Sequence, residues 1–142
     1  MILQVVVLAE LYIFDSREVE YSDWRGHHVR SRAFTYGDSS LGQDAAIAWL
    51  NRHANRDAIV VSSSPHWIYL RTGLGSVMPP MESDAARVAE LLDAVPASYV
   101  LVEQGSFTGG YVGPVIRARP WEWQRVLHDA EHDFEMFQRR GR

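Results

Sequence analysis

The chain has 142 residues, 46% of them hydrophobic and 23% charged, which suits one folded domain that buries most of its apolar surface without staples. Its basic residues are all arginine and are outnumbered by acids, for a net charge of −4, so it offers no broad cationic face to a phosphate backbone and nucleic acid is excluded as a partner. With no cysteine, disulfides, thiolate metal sites and cysteine nucleophiles are all ruled out.

Met1 to Phe14 is strongly apolar but short, since a spanning helix needs about 20 such residues. Gln4 and Glu10 would be costly in hydrocarbon, and a signal peptide lacks its basic start and cleavage site here. Two readings stand. One is an ordinary buried strand or helix, favoured by Val5-Val6-Val7. The other is the end of a membrane helix, with Tyr12 and Trp24 near the interface. Asp15 to Leu41 mixes charge, serine, glycine and aromatics without clear period, and reads as a connector with one short strand. Residues 1–41 are therefore set apart from an α/β domain over residues 42–142.

Ile47, Leu50 and Ala54 fall at i, i+3 and i+7, giving a helix over residues 43–54 one apolar face; Asn55 is placed to end it with a left-handed residue. Asp57 to Val61 follows as a short apolar run, the pattern of a strand covered on both faces. Pro65 opens a short helix that Gly73 closes. Val77-Met78 before Pro79-Pro80 fits an edge strand, because proline cannot donate to a ladder. Val88, Leu91, Leu92 and Val95 form one helical stripe, with Ser83 as cap, Asp84 favouring the positive end and Pro96 as stop. Tyr99 to Val102 is a second central strand. Helix and strand alternating through short links predict a small, mostly parallel, three-layer α/β sheet, and a further helix is expected over Tyr111 to Ala118. Beyond Pro120, Trp123, Val126 or Leu127, Ala130, Phe134 and Phe137 repeat at helical spacing, so periodicity alone selects one long helix.

Ser62-Ser63-Ser64-Pro65-His66 lies at the carboxyl end of the first central strand, where open α/β sheets bind ligands and helix-start N–H groups favour anions. Glu103 ends the second such strand. Ser63, Ser64, His66 and Glu103 are the candidate ligand-binding residues, weighed against helix capping and loop structure. No nucleophile elbow surrounds these serines. His128 and His132 would share a face if helical and can then bind a divalent cation; in a turn they belong to a solvated polar loop. No cofactor is implied. The Gly105–Gly113 stretch lacks the Lys-Ser/Thr of a phosphate loop and reads as a mobile connection or lip over the strand ends. Trp49, Trp67, Trp121 and Trp123 fit core packing, or sugar stacking in a glycan-binding domain.

One segment carries a family likeness. Ala48-Trp49-Leu50, Asp57 through Ser62, Pro65, Tyr69-Leu70, Thr72-Gly73, Val77 and Pro79-Pro80 together resemble a motif in the soluble tail of bacterial polytopic GT-C-type glycosyltransferases, the dolichyl-phosphate-mannose-protein mannosyltransferase-like proteins. Tyr99-Val100-Leu101-Val102 is similar to the strand that follows in such tails, and Trp123 through Arg140 to their closing hairpin before a basic terminus. The likeness spans roughly residues 40–140. It implies a C-terminal antiparallel hairpin, Trp123 to Leu127 against Phe134 to Phe137, and that hairpin is the expected structure. In this family the catalytic carboxylates lie on an early loop between membrane helices. The resemblance thus implies a non-catalytic, extracytoplasmic, membrane-associated domain that engages glycan, acceptor or lipid-linked sugar, or packs on the membrane part. Two other classes remain open: a freestanding, cytoplasmic small-ligand-binding α/β module, and a small hydrolase or metal-dependent enzyme using His66 or the His128 and His132 pair.

Overall fold

The computed structural model describes residues 16–34 and 36–141. Met1 to Phe14, with both of its readings, lies outside them. Among the described residues no helix is long and apolar enough to cross a membrane.

The expected connector is instead two strands, β1 (Ser16–Ser22) and β2 (His28–Phe34), paired antiparallel as a separate two-stranded sheet. Charges face each other across it. Arg30 grips Glu18 through both guanidinium branches, at 2.5 and 2.8 Å, and such cross-strand pairs supply order that a sparse apolar pattern does not announce. At the tip, the Asp23 carboxylate accepts backbone N–H bonds from Arg25 and His27. The Trp24 amide donates to the Leu70 carbonyl at 3.1 Å, and Tyr21 meets Trp67 edge-on at 4.8 Å. The hairpin is thus fastened to the main body.

That body begins with α1 (Asp38–His53), which starts earlier than its apolar stripe suggests and ends at Ala54 in extended backbone. Asn55 is not left-handed, because Asp133 is the described non-glycine residue with positive φ. Next come β3 (Ile59–Val61), α2 (Pro65–Thr72), β4 (Gly75–Val77), α3 (Ala85–Ala94) and β5 (Tyr99–Glu103). Pro65 opens α2 and Gly73 closes it at φ 72°, as the sequence predicts. For α3 the cap is Asp84 rather than Ser83: its carboxylate accepts from Ala86 and Arg87 N–H. Ser83 and Asp84 give their own N–H groups to Glu82.

A π-helical turn (Thr108–Val112) runs into α4 (Gly113–Arg117). The expected helix here therefore starts earlier and in wider coils. Its cause is a close approach, since a Cβ on Gly109 would lie 2.3 Å from the Glu103 carbonyl oxygen, so only glycine lets the turn sit on the end of β5.

The C-terminal third is the hairpin β6 (Trp123–Asp129) and β7 (Phe134–Arg139), not a long helix. Asp133 at φ 52° makes the turn, a conformation Asp tolerates and a helix interior does not. The five-stranded sheet has the order β4-β3-β5-β7-β6. Strand β3 pairs parallel with both β4 and β5, so the strands ending at Val61 and near Val102 do run side by side. The sheet is not mostly parallel. Strand β7 lies antiparallel to β5, and β6 to β7, so with β1 and β2 three of the five described pairings are antiparallel. A hairpin that follows the last crossover can fill the open edge of β5 without another helix, and it then runs the other way.

Three layers result. On one face α1 and α2 cover Val60, Tyr99, Leu101, Phe134 and Met136; on the other α3, the π turn and α4 cover Val61, Val100, Val102, Trp123 and Phe137. Alternate residues of β5 and β7 serve opposite cores, which is why those strands read as continuous apolar runs. Trp49 packs edge-on against Tyr99 at 5.7 Å, and Trp67 is half-buried beside the same core. Trp121, expected inside, is 71% exposed.

Candidate functional site

Parallel strands β3 and β5 point their carboxyl ends the same way, and the chain leaving each one meets α1 there. Glu103, the last residue of β5, alternates in phase with Tyr99 and Leu101 and so faces α1. It is 5% exposed. Gln43 of α1 donates from Nε2 to Glu103 Oε1 at 2.6 Å, and the Ser63 hydroxyl donates to Oε2 at 2.9 Å. Gln43 Nε2 also lies 3.4 Å from Ser64 Oγ. A carboxylate enclosed this far is tolerated because each oxygen is met by a donor.

Beneath the cluster the backbone is pinned. Ser62 Oγ accepts the Ser64 N–H at 3.1 Å and holds the bend between β3 and α2. The Glu103 N–H donates to Thr108 Oγ1 at 3.2 Å, while the Glu103 carbonyl accepts the Ser106 hydroxyl at 2.7 Å. Rigid support of this kind lets a polar group present fixed donors and acceptors. Ser63 and Ser64 are partly exposed, and they form the reachable rim over a covered carboxylate.

Of the four predicted residues, three meet: Ser63, Ser64 and Glu103. His66 does not join them and sits exposed on α2. Gln43, the fourth member, carries a sequence signal of its own. It stands four residues before Ile47, in the apolar stripe of α1, and a polar residue in a buried stripe needs a partner across the core.

His128 and His132 do not share a helical face. His128 lies on β6, half exposed, with Nδ1 3.9 Å from Glu135 Oε1. His132 lies in the turn with Nδ1 2.7 Å from Asp129 Oδ2. The hydrogen bond from His132 holds the Asp129 carboxyl below its ordinary value, against a smaller opposing effect of burial. Among the described residues no group of three or more acidic or histidine side chains is arranged to hold a metal ion.

The chain matches no protein-family model, no curated protein and no solved structure.

Proposed function

We propose that this chain is a non-catalytic, extracytoplasmic binding domain of a membrane glycosyltransferase-like protein, and that the rim of Ser63 and Ser64 engages a hydroxyl-rich glycan or acceptor. The observation that carries the reading is the convergence of Ser63 and Gln43 on Glu103, with Ser64 against Gln43, at the carboxyl ends of two parallel strands. Open α/β sheets favour ligand binding there. Glu103 acts as a positioning residue: by accepting the Ser63 proton, it turns the serine oxygen's lone pairs toward a ligand hydroxyl. The arrangement suits binding rather than bond-making, because the Ser63 hydroxyl is directed at a carboxylate already engaged by an amide, with no histidine base in that bond.

The test is a titration of the protein with methyl glycosides and short mannose or glucose oligosaccharides, followed by amide NMR. Shifts at Ser63, Ser64 and Glu103 that vanish in Ser63→Ala support the site; shifts confined to other surfaces, or none, overturn it. The membrane part of the reading is tested separately, by translating the reading frame upstream of Met1. A run of apolar spans in frame supports it. A frame without them overturns it and leaves the freestanding binding module.

A further inference from the structure

At the other end of the same strands lies a cavity of about 230 Å³, lined among others by Asn55, Asp57, Ser98, Tyr99, Gln138 and Arg139. Residues Tyr99 and Glu103 bound β5, so four steps of about 3.3 Å separate the two ends by about 13 Å. Neither sequence pattern nor the reading above assigns this cavity a role.

We infer that it binds one neutral, polyhydroxylated ring, of monosaccharide or cyclitol size. Volume sets the size. Sites for drug-sized ligands hold roughly 300–1,000 Å³, so this space admits a single ring and excludes an oligomer lying wholly inside.

Lining chemistry sets the class. Asn55 and Gln138 are primary amides, each with a donor and an acceptor side by side. Two neighbouring hydroxyls on a ring present the complementary pair. The Tyr99 hydroxyl, held by Gln138 Nε2 at 3.4 Å, can still donate, and Ser98 adds a second hydroxyl. Tyr99 is 4% exposed, with its ring fixed by Trp49, so it offers a preset wall rather than a mobile flap.

Charge balance favours a neutral ligand over an anionic one. The Arg139 guanidinium bonds Asp93 and Glu122, while Arg119 bonds the same two carboxylates at 3.0 and 2.6 Å. Two cations and two anions cancel within that network. Asp57 adds an exposed carboxylate to the lining, so the lining holds no excess positive charge to select a phosphate or sugar acid, while Arg139 Nη1, buried without a hydrogen-bond partner, leaves a donor that a ring hydroxyl can meet.

The experiment titrates the full chain with myo-inositol, methyl α-D-mannopyranoside and methyl α-D-glucopyranoside, with mannose 6-phosphate as the charged control, and reads amide NMR shifts and calorimetric affinity. Shifts at Ala58, Ser98 and Tyr99, with affinity falling about tenfold in Asn55→Ala and in Tyr99→Phe, establish the site. Both substitutions shorten a side chain without altering a glycine or a backbone hydrogen bond; their thermal melts show whether each variant stays folded. Equal or tighter binding of mannose 6-phosphate overturns the neutral assignment. Absence of shifts at these three residues up to the solubility limit of each ring overturns the site. Because Ser63, Ser64 and Glu103 report the opposite end, failure here is distinct from failure of the proposed function.

Discussion

Replacing Gly42 by alanine separates local preference from tertiary packing. Gly42 lies inside α1, where glycine costs about 1 kcal/mol relative to alanine, so helix propensity taken alone expects Gly42→Ala to stabilise the protein. Packing predicts the reverse. A Cβ at this position would stand 2.7 Å from Phe134 Cβ and 2.9 Å from its Cγ, about 1 Å short of the ~3.5–4.0 Å optimum between carbons. Neither atom can yield. Phe134 is fully buried, and its Cβ is fixed to β7 in the interior of the sheet. The helix must therefore lift, and Gln43, the next residue, lifts with it off Glu103. Overpacking of this kind costs about 1–3 kcal/mol; taking the upper end against a gain of ~1 kcal/mol leaves a net loss of about 2 kcal/mol. That corresponds to a melting temperature lower by about 6–8 °C for a domain of this size. Urea denaturation monitored by circular dichroism measures it, with Gly110→Ala as the control, since an added Cβ there meets nothing within 4 Å. If Gly42→Ala proves as stable as the parent, or more so, the close α1 to β7 contact is refuted.

Two further substitutions probe the parts that hold the sheet and the hairpin. Glu135 is buried on β7, with Arg117 Nε at 3.0 Å and Arg125 Nη1 at 2.8 Å and with His128 farther off. Burial raises its carboxyl, but the two arginines outweigh that and hold it below the ordinary 4.5. Its stabilising effect is therefore complete above about pH 4.5 and fades as pH falls through the lowered folded value. Glu135→Gln should cost about 1–2 kcal/mol at pH 7, the lower part of the range because both arginines are partly solvated. The gap between parent and variant unfolding free energies should close toward pH 3, and an unchanged gap would disprove the pairing. Gly73→Ala forces a side chain into φ 72° with its Cβ 3.1 Å from the Trp24 ring. A loss of about 1–2 kcal/mol is expected, with faster hydrogen exchange at the Asp23 to His27 tip; unaltered exchange there would show that Trp24 does not fasten the hairpin to α2.

Much of the architecture was readable because the signals are local. Pro65 and Gly73 bracket α2, the Val88 to Val95 stripe marks α3, and β3 and β5 are apolar throughout because both faces are covered. Ser63, Ser64 and Glu103 were legible as strand-end residues. What local pattern misread was governed by distant partners. Trp123, Ala130, Phe134 and Phe137 fall at helical spacing, yet Trp123 and Phe137 fill one core and Phe134 the other. That division suits a strand sandwiched between two layers as well as a helix, so periodicity had no means to choose. Where β1 and β2 lie, the sequence announced a connector with one short strand rather than a paired hairpin, because cross-strand charges such as Glu18 and Arg30 order them more than an apolar alternation does.

The amino-acid order by itself determined where most backbone elements begin and stop, since caps, prolines and glycines act on their nearest neighbours. Only the tertiary structure decided the direction of β7 beside β5, the meeting of Gln43 with Glu103 from opposite sides of the chain, and the cavity under Tyr99. Each of these joins residues roughly 30 to 60 positions apart. Such contacts depend on how whole layers dock, a choice made by complementary volume and paired polar atoms that no short window of sequence contains.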